Sequence, residues 1–289
     1  MKIIDCFTFF NELDLLEFRL KLLEEKVDHF VIAESNFTHS GQAKPFYFEE
    51  NKEQYDRWKN KIIYLPVQQS VAELVFDHNK NKYDTGSASW KLENEQRNAL
   101  ERCSSVINED DLVLLNDLDE IPDPAILKKI NPVHKPVVLS QLFHYYFLNC
   151  QNTGAESMWN GKIASTGKQF KAHTPQQLRD QRNELPSFKK AGWHFSYLGG
   201  LEKIKTKIRS FAHTEFNKEE YLDDEYILKA MVEGMYIYKR PGVQYRFYSL
   251  YCYPVYLRQG MLQYPGLLHI KRKDTVWDKM YFGIKHLFR

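Results

Sequence analysis

Apolar residues along this chain come either in short continuous runs or in stripes at three- and four-residue steps. Residues 2–10 form a mostly apolar run that predicts a strand. Asn11 follows as a helix N-cap, with Glu12 and Asp14 placed for the dipole of the first turn. Leu13, Leu16, Leu20, Leu23 and Val27 then recur on one face and predict a helix packed on a sheet. Residues 29–34 and 61–65 read as further strands and 90–103 as a helix. The run 112–115 suits a buried strand. This order is that of an α/β fold with a mostly parallel central sheet flanked by helices, its strands apolar because both faces are covered. Past about residue 130 the pattern changes, and 136–150 is rich in β-formers and aromatics, as the wall of a mixed extension would be.

The 112–115 run stops abruptly at Asn116-Asp117-Leu118-Asp119-Glu120, which places an acidic cluster where a central strand surfaces. In open α/β sheets ligands bind at that edge, and paired carboxylates there suit a hard divalent cation and the phosphates it carries. The same residues also suit a solvated turn, with Asp123 capping a helix that begins at Pro124; Pro122 and Pro124 argue against a continued strand. Glu34 and Ser35 end the second strand on the same edge, where they would meet a nucleoside or simply make a turn. Glu93 and Arg97 face each other at i and i+4 of the 90–103 helix, as a surface pair would. Gly199-Gly200 before a helix offers free backbone N–H groups to an anion. Along that helix Ile204, Ile208 and Phe211 form the core stripe, with Lys203, Lys207 and Ser210 on an adjacent face; Lys207 reaches a phosphate or forms part of a solvated basic face. His194 and His213, each among aromatics, read by themselves as core histidines.

Charge narrows the classes. With 40 basic and 38 acidic residues the net charge is +2, which argues against nucleic acid as the main partner. Cys6, Cys103, Cys150 and Cys252 are too widely spaced for a zinc or redox pair and read as buried thiols. No run approaches the ~20 apolar residues of a membrane span. Lys271-Arg272-Lys273 and Ile284 to Arg289 suit a weak peripheral contact with anionic lipid, or a plain exposed terminus. Aromatics at 15% make ring-stacking clefts plausible.

Taken in order, the stretches 11–20, 31–41, 95–98 (Glu-Gln-Arg-Asn), 116–122 (Asn-Asp-Leu-Asp-Glu-Ile-Pro), 192–196 (Gly-Trp-His-Phe-Ser) and 207–215 resemble glycosyltransferase family 17. The resemblance implies a GT-A-like fold forming one catalytic domain over 1–289. Residues 1–130 would bind the nucleotide-sugar, and 131–289 would form the acceptor side and a C-terminal extension. It implies a UDP-sugar donor, UDP-GlcNAc, a glycan acceptor, and inversion at the anomeric carbon. It assigns Mn²⁺ or Mg²⁺ to Asp119 and Asp117, with His194 or His213 completing the shell. Asn11, Glu34, Ser35, Arg97, Asp117, Lys207 and Ser210 are then expected around the donor. Inversion needs a general base, for which Glu120, Glu156 and Glu215 are candidates, Glu215 first because it falls in a matched stretch. Animal members are anchored in the Golgi, whereas this chain opens on its first strand; a cytoplasmic enzyme with a different acceptor is expected. A nucleotidyltransferase or sugar-phosphate enzyme using the same cation, and a non-catalytic glycan-binding protein, are the alternatives.

Overall fold

The computed structural model describes residues 1–76 and 84–269, so the basic C-terminal tail lies outside the described residues. No described helix is long and apolar enough to cross a membrane. Strands β1 (Ile3–Phe9), β2 (His29–Ser35), β3 (Ile62–Val67) and β4 (Leu112–Asp117) pair in parallel in the order β3-β2-β1-β4. The remaining strands are β5 (Glu120–Pro122), β6 (Val137–Tyr145), β7 (Cys150–Asn152), β8 (Met158–Thr166), β9 (Ser187–Phe188), β10 (Gly192–Ser196) and β11 (Tyr245–Phe247). They extend the same sheet beyond β4 as β8-β6-β7-β11, with β10 alongside β6 and β5. Strand β8 runs antiparallel between β4 and β6. The outcome is a curled, mostly parallel central sheet flanked by helices, compatible with a GT-A-like fold.

Alternation along β1 explains how the sheet is covered. Phe7 and Phe9 point to the face shared with Leu16, Leu20 and Leu23 of α1 (Leu13–Leu23), while Ile4 and Cys6 pack on the other face with Leu100, Cys103, Phe170 and Leu178. The helices on the second face include α3 (Ala88–Asn98), α4 (Gly167–Lys171) and α5 (Pro175–Asp180), with the short α2 (Tyr47–Asn51) beyond β2. Thr166 and Thr174 cap α4 and α5 through reciprocal capping boxes, and Pro175 suits the first turn of α5. Helix α6 (Gly200–Ser210) follows β10 after Gly199, whose φ of 94° suits glycine. All the cysteines are free thiols, and Cys6, Cys103 and Cys150 are buried.

Local expectations differ from the structure at several points. Asn11 does not cap α1: Glu12 occupies that position without a side-chain cap bond, and its Oε2 accepts from the Asn11 N–H at 3.1 Å. No α-helix starts at Pro124. Pro122 instead closes β5, which pairs antiparallel with β10; the missing N–H is harmless at the end of so short a strand. Asp123 takes the Ala125 N–H at 2.8 Å in a turn. Phe211 sits at the end of α6 and lines the cleft, while Ile204 and Ile208 are fully buried.

One buried group makes stability pH-dependent. His144 on β6 is sealed between the Leu142 carbonyl and the Tyr253 hydroxyl, each at 3.1 Å, and burial pushes its pKa down to about 3 from an ordinary 6.5. Between those values the unfolded chain binds a proton that the folded chain refuses, so this contribution falls as pH drops below about 6.5. Unfolding free energies from denaturant titrations at pH 7, 6 and 5 should fall by roughly 1 kcal/mol per pH unit more in the wild type than in His144→Gln. Equal slopes would refute this.

Candidate active site

The carboxyl ends of β1 and β4 lie side by side, with Thr8 opposite Asp117 in register, and the chain after β4 curls into a tight acidic loop. What holds that loop is Arg19. Its Nε and Nη2 donate to both oxygens of Asp5 at 2.9 and 2.8 Å, and Nη1 donates to the carbonyls of Leu118, Glu120 and Asp117 at 2.7, 3.0 and 3.2 Å. Nη2 also reaches the Asn116 side chain. All of Arg19 is buried, and Lys162 Nζ lies 3.4 Å from the same Asp5 Oδ1 that Arg19 Nη2 holds.

Three acidic side chains leave this loop in different directions. Glu120 turns inward and is fully buried. Arg179 grips it through both nitrogens at 2.9 and 3.0 Å, Trp159 Nε1 donates at 2.6 Å and the Asp117 N–H at 2.9 Å. Gly161 makes room for it, since a Cβ there would sit 1.7 Å from Glu120 Oε1. The expectation that Glu120 stands ready as a base is therefore not met by its position. Asp117 accepts from Thr8 Oγ1 at 3.0 Å, Arg97 at 3.1 Å and Arg179 at 2.6 Å. Burial alone would raise its pKa, but Arg179 and Arg97 outweigh that and hold it well below the usual carboxylate range.

Asp119 projects into the cleft. Its Oδ2 accepts from Lys207 Nζ at 2.9 Å, and its Oδ1 lies 3.4 Å from His194 Nε2. Burial opposes its ionisation, yet Lys207 and then His194 keep it a carboxylate far below the ordinary range, and Asp119 in turn raises the Lys207 pKa. The His194 ring is stacked between Phe143 at 4.8 Å and Trp159 at 4.6 Å, and its buried Nδ1 has no hydrogen-bond partner.

Two compartments meet on this wall. The smaller, of about 150 Å³, is lined by Thr8, Phe10, Glu12, His39, Gln96 and Ser210, residues near the carboxyl ends of β1 and β2 or facing them. The larger, of about 290 Å³, opens toward Trp90, Trp159, Tyr236 and Tyr238. Glu93, Arg97, Asp117, Asp119 and Lys207 face both.

Other expected site residues are placed elsewhere. Glu34 lines neither compartment; fully buried, it accepts from Lys44, the Tyr47 and Phe48 N–H groups that open α2, and the Tyr64 hydroxyl. Ser35 is buried against Gln69 and takes the Phe37 N–H at 3.0 Å. Both serve the turn after β2. Asn11 also lines neither compartment, and its carbonyl lies 3.4 Å from Lys203 Nζ. Of the two histidines, His194 lies beside Asp119; His213 faces the larger compartment, and its Nδ1 pairs with Glu215 at 2.8 Å. Glu156, also on that wall, is ion-paired with Arg240.

Arg19, Arg179 and Trp159 carry much of this geometry and went unassigned in the sequence. For Arg19 a signal exists, because it falls on the apolar face of α1 three residues after Leu16. Arg179 has none, since its partners are 59 and 62 residues away.

Paired aspartates at the end of a parallel strand, a lysine and arginines beside them, and a two-part cleft across the sheet edge together make up the candidate site. The profile of glycosyltransferase family 17 matches residues 1–256, and the chain belongs to that family. Two relatives, the β-1,4-mannosyl-glycoprotein 4-β-N-acetylglucosaminyltransferases of Rattus norvegicus and Homo sapiens, are each 27% identical over 128 residues. The matched stretch covers 42% of this chain and 22% of each relative.

Proposed function

We propose that this protein is a glycosyltransferase that moves N-acetylglucosamine from UDP-GlcNAc to a hydroxyl of a glycan acceptor, with inversion and with the help of Mn²⁺ or Mg²⁺. The observation that carries the reading is the position of Asp119 and Lys207 on the wall common to both compartments, with His194 beside Asp119 on the larger one. Among the described residues no three His, Cys, Asp or Glu side chains converge as a protein-only metal cage. A cation shared with a nucleotide needs fewer, because phosphates and water complete its shell. Asp119 Oδ1 and His194 Nε2 suit that arrangement: 3.4 Å is long for a charge-assisted hydrogen bond but close to the ~3 Å between adjacent ligands of an octahedral ion with bonds of roughly 2.1 Å. Asp117, held by two arginines, suits a supporting role more than direct ligation.

In this reading the nucleoside occupies the smaller compartment and the diphosphate lies against Lys207 and Arg97. The cation, when bound, supplies Lewis-acid stabilisation of the leaving diphosphate. Lys207 adds a fixed positive charge as UDP departs. The acceptor oxygen attacks C1 from the larger compartment as the C1–O bond to phosphate breaks. The hydroxyl proton passes to the His213–Glu215 pair, whose histidine lines this compartment.

The test is UDP release from UDP-GlcNAc with Mn²⁺ and a panel of glycan acceptors, together with calorimetric titration of UDP. UDP as product, and a UDP affinity at least tenfold lower after chelation, are expected. Pyrophosphate as product, or no nucleotide binding with metal present, would overturn the reading.

A further inference from the structure

The larger compartment holds a cation that this scheme leaves unused. Arg182 lies in the 3₁₀ turn Gln181–Asn183 directly after α5, half-buried, and lines the larger compartment but not the smaller. Each of the other arginines on that wall is matched: Arg97 by Glu93 and Asp117, Arg179 by Asp117 and Glu120, Arg240 by Glu156. Arg182 forms no hydrogen bond or ion pair with any described residue.

Its surroundings make that unusual. A guanidinium gives up hydration when half-buried and normally recovers it through an anion. Here the carboxylates whose charge acts on it, Glu120 and Asp117, are already held by Arg179 and Arg97. Burial, and then Arg179 as a like charge, pull the Arg182 pKa below its ordinary value. An arriving phosphate or carboxylate would relieve this with a two-point hydrogen-bonded pair. Trp159, Tyr236 and Tyr238, each half-buried, line the same compartment and give it apolar ring surface against which a pyranose packs. A ring and an anion are thus catered for together, on the side away from the nucleoside.

We propose that Arg182 receives a phosphate or carboxylate borne by the acceptor sugar, so that the acceptor of this enzyme is an anionic glycan. The proposal rests on the placement of UDP in the smaller compartment. It is tested by titrating glucose, glucose 6-phosphate and glucuronic acid into the protein saturated with UDP and a divalent cation, in the wild type and in Arg182→Gln. The half-exposed position should let the variant fold, and its thermal unfolding confirms that. At least one acidic sugar should bind ten times more tightly than glucose; which one does so identifies the anion. Arg182→Gln should erase the difference and change UDP affinity less than twofold. Equal binding of neutral and acidic sugars by the wild type would overturn the proposal. So would a variant that loses UDP affinity tenfold yet keeps the acidic preference, since Arg182 would then serve the donor diphosphate. If the protein binds no UDP, the donor reading fails on its own, and the same sugar titration on nucleotide-free protein still decides whether Arg182 confers the preference.

Discussion

Asp119→Asn should yield a folded protein whose sugar-transfer rate falls at least about a hundredfold, with UDP affinity in the presence of Mn²⁺ reduced as well. The amide keeps the shape of the side chain but removes the charge that Lys207 and His194 face at 2.9 and 3.4 Å. Without it Lys207 is free to swing away from the leaving group, and the pair of groups suited to a cation loses its anionic member. Stability should suffer little, by about 1–2 kcal/mol, because the Lys207 side chain is 25% exposed and can rehydrate rather than remain buried and unpaired. Transfer rate and calorimetric UDP binding, compared with the thermal unfolding midpoint, separate the two effects. A variant that retains full turnover would remove Asp119 from the reaction.

The N-terminal architecture was legible because its signals are local. β1, α1, β2, β3 and β4 each announce themselves through an apolar run or a stripe, and Asp117 and Asp119 stand out by closing such a run. The reading failed where a long-range partner overrides the local cue. Pro122 looks like a stop until β10, some seventy residues later, pairs with β5 and tolerates a proline at its end. Glu34 looks like a ligand because it ends a strand on the right edge, but the incoming N–H groups of Tyr47 and Phe48 claim it first. In the candidate site, the motif residues Asp117, Asp119, His194 and Lys207 meet as a set. The division of labour among the carboxylates was not readable, because it depends on Arg179 arriving from α5 and turning Glu120 inward. A buried arginine has no sequence signature unless it interrupts a stripe, as Arg19 does.

That interruption leads to the largest expected loss of stability. Arg19→Met should lower stability by about 3–5 kcal/mol, since it leaves Asp5 buried with only Lys162 and Asn116 for company and strands the carbonyls of Asp117, Leu118 and Glu120. For a domain of this size that corresponds to an unfolding midpoint on the order of 10 °C lower. Methionine fills the volume, so a cavity is not the cause. Arg19→Lys should recover only part of the loss, because an ammonium can face Asp5 but cannot also span the loop carbonyls with a planar fork. Activity measured well below the lowered midpoint should still be reduced in both variants, because Asp117 and Asp119 ride on the backbone that Arg19 holds. An Arg19→Met protein that unfolds within about 2 °C of the wild type would mean that the loop is held by its strand pairings alone, with Arg19 merely accommodated beneath it.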